Sequence, residues 1–167
     1  MSPILRREPP APPDERAEAE RTAELAADWQ AANRDHLVAC LGQWRELVEA
    51  HAARVADGGG GPPPTAAARP HFPSSLPPPR LEELAEELGL SEFERWVLLL
   101  AASVELDSQF ASLCAQAQGD PQRTRPTFSL ALACLPGAHW SALSPAGTLR
   151  SLRLISLAEG AGLTGAA

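Results

Sequence analysis

From Glu15 to Ala56 the chain has no proline and a single glycine, Gly42, set among alanine, glutamate, arginine, leucine and glutamine. These are good helix formers, and Asp14 stands where an N-cap would. Leu25, Trp29 and Ala32 start an apolar pattern. Leu37, Leu41, Trp44, Val48, His51 and Val55 then continue it at spacings of 4, 3, 4, 3 and 4. That is a heptad-like seam along one side of a helix. A helix with a one-sided seam cannot bury it alone, so three arrangements stand open. The segment packs back on the globular part, forms a helical hairpin broken near Asn33, or pairs with another chain, self-association included. Arg45 and Glu49, four residues apart, are expected to pair on the outer face.

The pattern changes at Arg80. Four helices are predicted: Arg80–Leu88, Glu92–Val104, Ser108–Gln118 and Thr127–Leu135. Gly89 is placed to end the first in a left-handed turn. Ser91 and Glu94 have capping-box spacing at the start of the second, whose apolar face is Phe93, Trp96, Val97, Leu99 and Leu100. Asp107 is the expected cap of the third. Gly119-Asp120-Pro121 and Pro136-Gly137 break the chain, and His139 and Trp140 are expected to pack in a short turn. Ser144-Pro145 opens a small helix that includes Leu149. Leu152–Leu157 alternates apolar and polar positions as a strand does. Residues 159–162 read as a turn and Leu163–Ala167 as the start of a returning strand.

The fold class read from these patterns is mainly α: a long N-terminal helical segment plus a small helical domain with one short β-hairpin. Residues 1–14 are proline-rich, charged and expected to be disordered. Residues 15–56 form the helical segment and residues 57–79 a Pro/Gly linker. Residues 80–167 form the small domain, with its hairpin incomplete at the C-terminal edge. No stretch approaches the ~18 apolar residues of a membrane span. Cys40, Cys114 and Cys134 are far apart and form no C-x-x-C, and no histidine stands at zinc spacing from a cysteine pair. A reduced, cytoplasmic setting is expected.

Charge narrows the function classes. The 167-residue chain has a formal net charge of −7, which argues against a general nucleic-acid binder. It contains no lysine, so the phosphate-gripping lysine of a P-loop is absent. The glycine run at 58–61 is followed by Pro62–Pro64, which have no backbone N–H to offer a phosphate.

The run Leu88-Gly-Leu-Ser-Glu-Phe-Glu-Arg-Trp-Val-Leu-Leu-Leu100, then VELD at 104–107, Gly119-Asp120, Pro126-Thr127, W-x-x-L-S-P at 140–145 and R-L-I-x-L at 153–157 carry a resemblance. Their order resembles the variant winged-helix region in front of the ATPase module in large bacterial AAA+ ATPases associated with contractile injection systems. The resemblance covers about residues 81–163. It implies that residues 80–167 are a winged-helix-like domain, incomplete at its C-terminal wing, and that the chain is a non-catalytic adaptor or recognition region that works with protein partners. No cofactor is expected in this chain, and ATP and Mg belong to the ATPase module. Two other functions stand beside it: a winged-helix DNA-binding regulator, and a free-standing helical scaffold that oligomerises through its seam.

No catalytic, cofactor or metal site is predicted. Glu82, Glu83, Glu86 and Glu87 read as a solvated helix face, and Glu105 as solvent-facing. Ser141 beside His139 lies in no nucleophile elbow. The interaction candidates are the seam residues Leu37, Leu41, Trp44 and Val48 and the basic residues Arg123, Arg125, Arg150 and Arg153. These arginines would meet phosphate in a DNA-binding winged helix, or acidic surface on a neighbouring module here. DNA is a disfavoured partner and no membrane is expected.

Overall fold

The computed structural model describes residues 13–58 and 68–156. Helix α1 runs unbroken over Pro13–Ala56, so the segment is one helix and not a hairpin. Asn33 does not break it. Its Oδ1 instead accepts the backbone N–H of Arg80 at 2.8 Å, supplying from another element a cap that the next helix lacks, because Pro79 precedes it. The remaining helices are α2 (Arg80–Glu87), α3 (Glu92–Leu106), α4 (Gln109–Ala117), α5 (Phe128–Cys134) and α6 (Thr148–Ser151). A 3₁₀ turn at Trp140–Leu143 lies between the last two.

Local chemistry sets these boundaries. Gly89 has φ +62, and Leu90 N–H reaches the Ala85 carbonyl at 2.8 Å in a Schellman-type stop. Ser91 and Glu94 form both halves of the capping box. Asp107 Oδ1 accepts the Gln109 N–H at 2.9 Å and so caps α4. Thr127 Oγ1 accepts the Leu130 N–H at the start of α5.

One core draws on the helices but leaves the first half of α1 outside it. Phe93, Trp96, Leu99 and Leu100 of α3, Phe110 and Cys114 of α4 and Phe128 and Ala131 of α5 pack together with Cys40, Trp44, Leu47 and Val48 of α1. The seam is therefore filled from within the chain. Its buried stripe is His36, Cys40, Trp44, Leu47 and Val48, turned by about one residue from the expected one. Leu37 and Leu41 flank it, half-buried against the core, and Val55 is exposed. With Trp44 and Val48 fully buried, these two are core residues and not free surface. The first half of α1 differs: residues 18–28 are all exposed.

Part of the expected linker is bound along α1. Trp29 Nε1 donates to the Pro77 carbonyl at 3.0 Å, and Gln43 Nε2 donates to the Ala68 carbonyl at 2.7 Å. Arg45 does not pair with Glu49. It reaches Asp107 at 2.7 Å and lies over the Phe110 ring at 4.7 Å. That combination outweighs an exposed pair four residues apart, which contributes only a few tenths of a kcal/mol.

The expected β-hairpin is not formed among the described residues. Leu152–Ile155 is a turn: Arg153 has φ 56, and the N–H groups of Leu154 and Ile155 both return to the Leu149 carbonyl, at 2.9 and 3.2 Å. Leu154 and Ile155 both pack on the core, whereas adjacent residues of a strand face opposite ways. Those N–H groups cap α6 and are not free for a ladder. The expected returning strand, and Leu157, lie outside the described residues. Trp140 also departs from expectation. It is 64% exposed, touching Phe128 with ring centroids 6.2 Å apart.

Candidate functional site

The densest polar chemistry sits where α1, α2 and α3 meet. His36 and Cys40 are one helical turn apart on the buried face of α1. Glu82 projects from the first turn of α2 and Arg95 from the first turn of α3. Glu82 Oε1 lies 3.3 Å from His36 Nε2 and 2.9 Å from Arg95 Nη1. Its other oxygen lies 3.2 Å from Arg69 Nη1. Cys40 Sγ is 3.5 Å from His36 Nε2. Phe72 closes one side, edge-on to the His36 ring at 5.7 Å.

Sequence reading placed Glu82 on a solvated face. The structure corrects this: its side chain is only 16% exposed and is contacted by three basic side chains. Glu83, Glu86 and Glu87 are more exposed. Glu82 faces inward because Arg95, with a side chain 2% exposed, needs a counter-charge there. Nothing in a spacing pattern could show that two separate helices aim these residues at each other. One signal was present: His36 and Cys40 are four apart, on one face of a predicted helix.

The cluster is incompletely satisfied from within. Nδ1 of His36, Nε and Nη2 of Arg95, and the indole N–H groups of Trp44 and Trp96 are buried without a hydrogen-bond partner. Burial pushes the Cys40 thiol above its usual pKa, and the nearby Arg95 guanidinium works against that shift. Arg95 also lies over the Trp96 ring at 4.8 Å.

A second polar chain joins the helix start of α3 to the 3₁₀ turn. Ser91 Oγ is 2.9 Å from His139 Nε2, and His139 Nδ1 is 2.7 Å from Ser141 Oγ. Ser91 Oγ also accepts the Glu94 N–H at 3.1 Å. Phe93 packs against the imidazole at 5.1 Å. The hydroxyl belongs to a helix cap, and the arrangement clamps the turn to α3.

The four candidate arginines are engaged differently. Arg123 Nε pairs with Asp120 at 3.5 Å in an exposed position. Arg150 Nη1 donates to the Leu143 carbonyl at 2.9 Å. Arg125 is exposed at the rim of an apolar cavity of about 220 Å³ lined by Val97, Leu100, Phe128, Leu154 and Ile155. Arg153 is exposed in its left-handed turn. Two of the four are thus committed to contacts within the chain. No helix among the described residues is long and apolar enough to cross a membrane.

Helices α3, α4 and α5 packed on the second half of α1 make a small helical domain. The family model for the variant winged helix domain matches residues 6–165, and the chain belongs to that family. No curated protein and no solved structure matches it.

Proposed function

We propose that this chain is a non-catalytic recognition region that works with a AAA+ ATPase, serving assembly or operation of a phage-tail-like contractile injection system. ATP and Mg would then be held by the ATPase module. The observation that carries the reading is the division of α1. Its second half is built into the core, whereas residues 18–28 are exposed on every side. That makes the first half a rigid arm available to a protein partner. Three facts support this over nucleic-acid binding. The net charge is −7, Arg123 pairs with Asp120 and Arg150 bonds the Leu143 carbonyl. The family match is consistent with either class, since winged helices serve both.

The test is co-purification with a AAA+ ATPase module encoded beside this chain and expressed as a separate polypeptide. The complex should form with the intact chain and be lost when residues 13–27 are removed, with the circular dichroism of the remaining domain retained. Sequence-specific duplex binding tighter than about micromolar at physiological salt, with no ATPase association, overturns the proposal.

A further inference from the structure

We propose that His36, Cys40 and Glu82 form a binding site for a borderline-soft divalent cation, with Zn²⁺ the best fit. The three donor atoms lie within 4.8 Å of one another. Two of the three separations match a tetrahedral centre, and the third, between Cys40 and Glu82, is within 4.8 Å. Bonds of about 2.0–2.1 Å to imidazole and carboxylate and about 2.3 Å to thiolate place N and O about 3.3 Å apart and N and S about 3.5 Å apart. The observed distances are 3.3 Å for His36 Nε2 to Glu82 Oε1 and 3.5 Å for His36 Nε2 to Cys40 Sγ. Imidazole, thiolate and carboxylate together select zinc over magnesium or calcium, which favour oxygen.

Two further observations point to a ligand. His36 is 4% exposed and directs Nε2 at both other donors. Arg69 holds the far oxygen of Glu82 at 3.2 Å, the kind of support that fixes a ligating carboxylate, while Arg95 bonds the near oxygen at 2.9 Å and must yield it to the ion. The side chain of Glu82, 16% exposed, gives the ion a way in and leaves the fourth position to solvent. Binding replaces the Cys40 S–H bond with a Zn–S bond and releases one proton to water. Nothing is oxidised or reduced.

Charge limits the affinity. The Cys40 thiolate and the Glu82 carboxylate together cancel the two charges of Zn²⁺, so Arg95 loses its counter-ion. The site therefore binds more weakly than a dedicated four-ligand structural zinc and favours hydroxide or chloride as its fourth ligand.

Cobalt reports the ligand set directly. The full chain, purified with chelator and titrated with Co²⁺, should develop a thiolate-to-cobalt charge-transfer band and tetrahedral d–d bands at one ion per chain. Added Zn²⁺ should bleach both. Cys40→Ser should remove the charge-transfer band and weaken zinc at least roughly tenfold, the range reached when only a ligand's supporting partner is lost. His36→Gln should weaken zinc similarly. Cys114→Ser and Cys134→Ser should leave the band intact. The wild-type spectrum needs no folded variant: absence of a charge-transfer band in the folded chain at a large excess of cobalt overturns the site. So does a band that survives Cys40→Ser.

Discussion

Replacing Glu82 with alanine removes the counter-charge of a buried guanidinium. Arg95 has a side chain 2% exposed, and Nη1 bonds Glu82 while Nε and Nη2 have no partner. After Glu82→Ala the charge stays buried over the Trp96 ring. Breaking a buried pair by deleting one partner costs about 3–5 kcal/mol. Glu82 keeps some contact with water at 16% exposure, which sets the expectation near the lower end, about 3 kcal/mol. Loss of the exposed Arg69 contact adds at most about 1 kcal/mol. Alanine is the better helix former, so the loss cannot be assigned to α2 propensity. Glu83→Ala, in the same first turn, controls for the helix dipole.

A domain's total stability is about 5–15 kcal/mol, so this one change removes a large share of it. Urea unfolding followed by tryptophan fluorescence should show the midpoint falling by about 1–3 M at unchanged slope, for slopes of about 1–3 kcal/mol/M. Glu82→Ala combined with Arg95→Met should recover much of the loss, because an apolar side chain in that place needs no partner. A single variant within about 0.5 kcal/mol of the parent, or strictly additive losses in the double variant, would refute the account. Either result would mean that Arg95 swings out to solvent.

Two other outcomes follow from the packing. Trp44→Ala, at a fully buried position on α1, should cost about 3–5 kcal/mol, whereas Trp140→Ala, at 64% exposure, should stay within about 0.5 kcal/mol; equal losses in thermal denaturation would show that α1 is not part of the core. Burial raises the thiol pKa of Cys114 to about 11 and of Cys134 to about 12 from 9.0. The unfolded chain then releases these protons first, so stability is intact below pH 9.0 and falls as pH rises toward about 11 and then about 12. Unfolding midpoints that stay level across that interval, or fall no less steeply in a Cys114→Ala/Cys134→Ala variant, would contradict this.

The sequence by itself determined the elements whose causes are local. The Ser91–Glu94 capping box, the Gly89 stop, the Asp107 cap and the apolar run from Phe93 to Leu100 placed α2 to α5 within two residues of where they lie. It also determined that Glu15–Ala56 is helical, since nothing in that stretch breaks a helix. Tertiary structure decided the rest. An amphipathic stripe states that it must be covered, but not by what: the core of α3, α4 and α5 covers it, centred one residue away from the heptad reading because His36 and Cys40 turn inward with it. Alternation at Leu152–Leu157 suggested a strand, yet packing of both Leu154 and Ile155 imposed a helix-ending turn. The His36–Cys40–Glu82–Arg95 cluster was the least legible. Its members come from three helices, and a buried charge is recognised only by the counter-charge that folding brings to it.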